Sequence, residues 1–334
     1  MVRPLALLRP RTCCLDECFP YGHLSVTQTT RRDWLALAAG ATIAGMAKPA
    51  LAQEPNPFTY SLNTSTIRGQ NLPIVDEVAI AGRAGYQAIE PWINELETYV
   101  QGGGQLRDLA RRIQDAGLRV ESAIGFAEWI VDDDARRRQG LENSRRAMDM
   151  VRQIGGTRLA APPVGATQQT DLNLLRAAER YRALCAVGQE IGVVPQVEVW
   201  GFSRSLSRLG EAAQIAIESG HPRACILADV YHLHKGGSGF TGLKLLGGAS
   251  MHVFHMNDYP ASPGRAEITD ADRVYPGDGV APLAEILRDL RRIGFRGTLS
   301  LELFNRTYWR QDALAVARTG LEKMRAVVQT SLNG

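Results

Sequence analysis

Apolar residues recur along this chain in two alternating rhythms. Short unbroken runs rich in Val, Ile and Leu occupy positions 58–63, 86–91, 118–124, 157–161, 193–199, 224–229, 251–256 and 298–303. Runs this short, with little polar alternation, predict strands buried on both faces. Amphipathic stretches lie between them. In LPIVDEVAIAGRAG, Ile74, Val78 and Ile80 fall on or near one helical face and a glycine ends the run. In GQLRDLARRIQDAG the same face is carried by Leu106, Leu109 and Ile113. DLNLLRAAERYRALCAVGQEIG and APLAEILRDLRRIGFRG repeat the pattern, with Asp171 the expected N-cap of the first, and Gly192 and Gly294 the expected C-terminal stops. The alternation returns every roughly 30 residues, the length of one strand–helix unit, and does so eight times after residue 55. This predicts an α/β fold, a (β/α)8 TIM barrel over residues 53–334. A doubly wound open sheet is the other candidate, but it would carry a glycine-rich phosphate turn after its first strand. SLNTSTIRG stands there instead, and the GGG at 102–104 opens a helix without following a strand.

The rhythm does not extend to the N-terminus. TTRRDWLALAAGATIAGMAKPALAQ reads as an export signal, with Arg31 and Arg32, a weakly apolar run from 35 to 47, and the small-residue site ALA at 50–52. The arginine pair followed by Trp34 and Leu35 resembles the twin-arginine pattern. The run is roughly 13 residues, short of the about 20 that span a bilayer. Residues 1–52 are therefore expected to be an extension and signal, with the mature chain beginning near Gln53 in the periplasm and no stable membrane insertion after cleavage. Twin-arginine export carries proteins already folded, often around a cofactor.

Composition narrows the class. With 45% hydrophobic and 22% charged residues the chain is an ordinary globular one. A net charge of +3, with no basic stripe interleaved with aromatics, argues against nucleic acid as a partner. Cys13, Cys14 and Cys18 precede residue 20, leaving Cys185 and Cys225 in the body. That is no disulfide framework; two buried thiols or a single bridge between them both fit.

Chemistry gathers where strands end. In a barrel those ends converge on one mouth. The fifth run ends with Glu198, the sixth with Asp229, the seventh carries His255 and the eighth Glu302. Taken singly each residue could be a cap, a surface charge or a satisfied core group. Together, three carboxylates at one mouth would repel unless a cation sat among them. The oxygen-rich set suits one divalent ion, Mn2+ or Mg2+ on hardness, with Co2+ and Zn2+ compatible.

VEVWG, DVYHLHKGG, HMNDYP, YPGDG and SLELFN, in this order over residues 57–330, resemble the strand-end motifs of the xylose isomerase-like TIM barrels. That superfamily includes sugar phosphate isomerases and epimerases, ketose 3-epimerases, inosose isomerases and dehydratases, and endonuclease IV. The resemblance implies that Glu198, Asp229, His255 and Glu302 bind the metal. It implies that His232 contacts a substrate oxygen, and that the ligand of the seventh strand is His255, not the earlier His252. Members are often dimers or tetramers, so a homo-oligomer is compatible with it. Endonuclease IV holds three zinc ions and many histidines; here only His221, His232, His234, His252 and His255 follow the signal.

Further positions follow. Glu90 is expected to hold a substrate hydroxyl or form a structural ion pair, and Arg273 to clamp substrate or lie at the surface. Lys235 is expected to be a solvated lysine or to reach the substrate. Trp92, Trp129, Trp200, Tyr231 and Phe304 are candidates to wall a sugar pocket or to pack the core. The loop from 258 to 279 could close as a lid. The expected activity is isomerisation or epimerisation of a non-phosphorylated keto sugar or cyclitol through an enediolate, with Glu198 and Glu302 as catalytic bases. The alternative is a lyase or dehydratase that expels a β-substituent from the same enediolate. Replacing Arg31 and Arg32 together by lysine should leave unprocessed protein in the cytoplasm, read by immunoblot of cell fractions; a processed periplasmic band would exclude the twin-arginine route.

Overall fold

The computed structural model describes residues 56–333. The signal, its cleavage site, Cys13, Cys14 and Cys18 lie outside the described residues. Eight strands form where the apolar runs predicted them: β1 (Thr59–Asn63), β2 (Ala88–Glu90), β3 (Arg119–Val120), β4 (Arg158–Ala161), β5 (Val194–Glu198), β6 (Ile226–Asp229), β7 (Met251–Met256) and β8 (Thr298–Leu301). They pair in parallel in the order β3-β2-β1-β8-β7-β6-β5-β4. The segment that follows β3 also meets β4. Ala123 N donates to Arg158 O at 3.2 Å, and Ala160 N to Ala123 O at 2.9 Å. These bonds close the ring, and the open-sheet alternative falls.

β3 is the weak stave. The run 118–124 keeps ladder geometry only at Arg119–Val120 and resumes at Ile124, which bridges Trp92. Glu121 and Ser122 interrupt it.

Alternation along the strands separates two environments, because successive side chains face opposite ways. Tyr60, Leu62, Ile89, Val197, Ile226, Ala228, Phe254, Leu299 and Leu301 belong to the large apolar core. Their neighbours share the other face. There, Ile124, Ala160, Leu227 and Val253 form a separate small apolar cluster, while Ser61, Asn63, Glu90, Gln196, Glu198, Asp229, His255, Ser300 and Glu302 are polar and buried. The apolar members precede the polar ones on β6 and β7, so this inner face becomes polar toward the C-terminal ends.

Helices α1 (Ile74–Ala84), α2 (Ile93–Gln101), α3 (Leu106–Asp115), α4 (Asp134–Gln153), α5 (Leu174–Ile191), α6 (Leu209–Glu218), α7 (Val230–Lys235), α8 (Leu283–Arg292) and α9 (Ala313–Asn333) follow or lie between the strands. The expected cap of α5 needs correction. Asn173, not Asp171, accepts from Leu175 N and Arg176 N, because the helix begins at Leu174, two residues later than a cap at Asp171 would require. Gly192 (φ +91°) and Gly294 (φ +83°) take the left-handed conformation after α5 and α8 that favours glycine. On α1, Ile80 is only half-buried; Ile74, Glu77, Val78 and Ala81 carry the buried face. Cys185 and Cys225 are free buried thiols with no bridge, and burial pushes both up to about 12. Among the described residues no helix is long and apolar enough to cross a membrane.

Glu77 is the unusual member of that face. It is 2% exposed, and its Oε2 has no partner. Burial, reinforced by Glu95 and opposed by Arg68, pushes its carboxyl up to about 9. Folding therefore favours the neutral acid. That contribution is complete below the ordinary carboxylate range and is lost as pH rises toward about 9. Glu77→Gln should raise Tm by several degrees near pH 9 and change it little near pH 5, measured by thermal unfolding at both.

Candidate metal centre

Asp229 ends β6 and caps α7. Its Oδ1 accepts from His232 N at 2.8 Å, leaving Oδ2 toward the inner face, where Asn257 Nδ2 (3.0 Å) and Arg273 Nη1 (2.9 Å) donate to it. β7 places His255 level with Asp229 on one side and Ser300 on the other. Glu302 follows directly on β8. Ligand atoms of Asp229, His255 and Glu302 lie within 4.8 Å of one another, and all three residues are buried.

The imidazole has a defined orientation. Its Nε2 is 3.0 Å from Glu90 Oε2. Its Nδ1 makes no hydrogen bond and stands 3.3 Å from Glu302 Oε2 and 3.7 Å from Asp229 Oδ2. A carboxylate that accepts the Nε2 proton fixes the tautomer and turns the Nδ1 lone pair to a metal. Burial opposes charge on the ring, but Glu302 and Glu90 outweigh it and hold its pKa well above the ordinary value.

Glu90 thus has a place that its sequence position did not convey. Its Oε2 accepts from Asn63 Nδ2 (3.0 Å), Ser300 Oγ (2.7 Å) and His255. It is absent from the lining of the mouth cavity. Asn63, at the end of β1, also donates to Glu302 Oε1 at 3.2 Å and accepts from Trp92 Nε1 at 2.9 Å. Asn63 and Ser300 escaped the sequence reading; the signal available was their polarity on the inner face of otherwise apolar strands.

Glu198 sits outside the three-residue group but within electrostatic reach of it. It is 2% exposed, and its Oε2 has no partner. Burial, with Glu302, Asp229 and Glu90 adding and His255 opposing, pushes it up to about 8. Glu302 moves the other way. Burial would raise it, but His255 and Arg273 hold it well below the usual carboxylate range.

Arg273 comes from the 258–279 loop and is fully buried, which overturns the surface reading. Its Nη1 donates to Asp229 Oδ2 at 2.9 Å and Glu302 Oε2 at 2.7 Å; its Nη2 donates to Asp270 Oδ1 at 2.5 Å and lies 3.1 Å from His232 Nε2. The guanidinium carbon stands 4.4 Å over Tyr231. His232 Nδ1 faces Gly201 N at 3.3 Å. A neutral ring has one lone pair and one N–H, so it satisfies only one of these two donors. The loop is anchored as well as inserted: Asp258 accepts from the backbone N–H groups of Tyr259, Gly277, Gly279 and Ala281. Lys235 donates to Ala266 O, and His234 stacks on Tyr259 at 3.8 Å.

A cavity of about 220 Å3 opens over the site, reached by Glu198, His232, Asp270, Arg273 and Glu302. Trp92, Trp200 and Phe304 wall it as expected, joined by Phe126 and Phe202, which periodicity did not single out. Trp129 and Tyr231 do not line it. Trp129 is core, donating Nε1–H to Pro162 O, and Tyr231 supports Arg273 from behind.

Four buried carboxyl groups (Glu90, Glu198, Asp229, Glu302) face one guanidinium here. Such an excess of negative charge needs protons or a cation. An unpartnered imidazole nitrogen, carboxylate oxygens beside it and the unpartnered Glu198 oxygen fit a divalent ion, and the Asp229, His255 and Glu302 group could hold it.

Residues 78–327 match the xylose isomerase-like TIM barrel family. The inosose isomerase of Bacillus velezensis is 25% identical over 272 residues, 79% of this chain and 94% of its own length. The 3-dehydroshikimate dehydratase of Pseudomonas aeruginosa is 25% identical over 273 residues, 79% of this chain and 41% of its own length. In fold the chain is similar to the solved IOLI protein, whose crystal structure holds a zinc atom (TM-score 0.75, 22% identity, 82% of this chain and 99% of that one).

Glu90→Gln keeps the shape of the side chain and removes the charge that orients His255. It should weaken Mn2+ binding by roughly 10- to 100-fold, read by titration calorimetry. In the unaltered protein, metal binding should release a proton from His255, seen as a binding heat that varies with the ionisation enthalpy of the buffer.

Proposed function

The chain belongs to the xylose isomerase-like TIM barrel family, and on that footing we propose that it is a divalent-metal-dependent isomerase or epimerase of a non-phosphorylated keto sugar or cyclitol. The observation that carries this reading is geometric: Asp229, His255 and Glu302 bring buried ligand atoms within 4.8 Å of one another at the strand ends, and Glu198 and Glu302 both line the cavity above them. Two carboxyl groups at one site are suited to moving a proton between them. Similarity to an inosose isomerase supports the substrate class.

Asp229, His255 and Glu302, with Glu198 as fourth ligand, would hold the ion. When bound, it would polarise the substrate carbonyl and stabilise the negative charge that develops as the neighbouring C–H ionises. Glu302, kept ionised by Arg273 and Asn63, accepts the carbon-bound proton. Glu198 stands on β5, separated from β8 by β6 and β7, and returns a proton from its own side. Return to the opposite face gives epimerisation; return to the adjacent carbon gives aldose–ketose exchange. A substrate oxygen that replaces the guanidinium at His232 Nε2 takes the ring N–H that Arg273 cannot accept. The aromatic walls exclude water from the reacting carbon. The cavity lining carries Glu198, Asp270 and Glu302, with Arg273 its one Lys or Arg side chain and no cluster of cationic side chains to cradle a phosphate, which favours a neutral substrate.

A lyase is the second reading, supported by the similarity to a 3-dehydroshikimate dehydratase. The same carbanion would expel a β-hydroxyl or β-glycoside. Solvent deuterium entering recovered keto sugar without loss of water supports the isomerase; an α,β-unsaturated carbonyl absorbance supports the lyase. With Mn2+ saturating, Glu198→Gln should lower kcat by roughly 100-fold or more, measured by that exchange. Chelation should abolish the exchange, and Mn2+ or Mg2+ should restore it; full activity after exhaustive chelation would exclude the proposed chemistry.

A further inference from the structure

The mouth cavity, at about 220 Å3, is smaller than the roughly 300 Å3 at which small-molecule sites usually begin. It suits one sugar ring. Its wall at Phe126 is shared, because the same ring, 43% exposed, also lines a neighbouring cavity of about 330 Å3 with Glu128, Arg136, Gln139 and Asn143. The aromatic side chains of the mouth, with Trp309 beside Phe304, form a continuous series. Centroids run from Phe202 to Trp200 (5.0 Å), Phe126 (6.1 Å), Trp92 (4.9 Å), Phe304 (6.0 Å) and Trp309 (6.5 Å). Phe126 is the one residue common to the linings of the two cavities, so a ligand reaching from one to the other would pass over it.

The neighbouring cavity is lined by polar side chains that bond one another at the surface. Arg136 grips Glu128 with two bonds, Nε to Oε2 at 3.0 Å and Nη2 to Oε1 at 2.6 Å. A Cβ at Gly140 would meet Glu128 O at 2.5 Å, so α4 lies directly against that backbone. A side chain at Gly165 (φ +79°) would stand 2.9 Å from Glu128 Oε1 and 3.1 Å from Arg136 Nη2. Gln139 donates to Asn143 Oδ1 at 2.9 Å. The charges of Glu128 and Arg136 cancel, and the amides beside them suit hydroxyl groups.

We propose that the space across Phe126, bounded by Glu128, Arg136, Gln139 and Asn143, is a second subsite that takes a neutral glycosyl extension of the substrate. The inference rests on the keto-sugar reading of the mouth and deepens it, since the preferred substrate is then a two-ring keto sugar. The glycosyl ring packs its C–H face on Phe126 and places hydroxyls against the amides and the ion pair.

The test is a fluorescence titration of the Mn2+-saturated protein, reporting on Trp92 and Trp200, with D-fructose and three ketose disaccharides, lactulose, turanose and isomaltulose. At least one disaccharide should bind roughly tenfold or more tightly than fructose. In the double variant Gln139→Ala, Asn143→Ala that ratio should fall to about one. Both positions are exposed on α4, where alanine is a good helix former, so the variant is expected to fold. If no disaccharide exceeds fructose, or the double variant keeps the advantage, the subsite is overturned. Solvent exchange on the same sugars separates the two ideas: exchange without a disaccharide advantage overturns the subsite alone, and the advantage without exchange overturns the isomerase reading alone.

Discussion

The inner face of this barrel is governed by the cost of holding like charges out of water. Glu90, Glu198, Asp229 and Glu302 are all buried within reach of one another. A carboxylate in a protein interior is tolerated only when paired or hydrogen-bonded. Each carboxyl here meets that requirement differently. Asp229 takes a backbone N–H, a side-chain amide and a guanidinium, Glu302 takes Arg273 and Asn63, Glu90 collects three donors on one oxygen, and burial pushes Glu198 toward the neutral acid. The remaining deficit of positive charge falls where an unpartnered imidazole nitrogen points. The same crowding that would destabilise an apolar barrel leaves this one with a group that could hold a cation.

Much of this was legible in the order of residues. β6, β7 and β8 each end an apolar run with a single titratable group, and strand period 2 puts those groups on one face. β1 and β2 carry the same signal more faintly. Asn63 looks like an ordinary strand-end cap, and it does accept from Ser65 N. Its second task, bridging Glu90 and Glu302, depends on β1 lying beside both β2 and β8, a closure that no local pattern announces. Glu90 is similar. Its residue type suits substrate or metal, and only the parallel register reveals that one oxygen is committed to His255. Phe126 and Phe202 follow strands in irregular segments where no periodicity marks a side chain as facing the mouth. Asp171 and Asn173 are both good caps by type, and only the path of the chain chooses between them.

Arg273 shows how a loop can be both fixed and functional. Its anchor is Asp258, which gathers four backbone N–H groups although burial raises its pKa. The expected lid is therefore not a free flap.

Asp229 serves two masters. One oxygen starts α7 and the other faces the metal group, so its loss would damage a helix as well as a ligand set. Glu198 has no such second duty, since one of its oxygens is bonded to nothing. In a descendant released from catalysis, drift would reach these residues unequally. Asp229 would persist as a fossil of architecture, Glu198 would be among the first to change, and an aspartate retained without its glutamate would mark a lineage that kept the scaffold and gave up the chemistry.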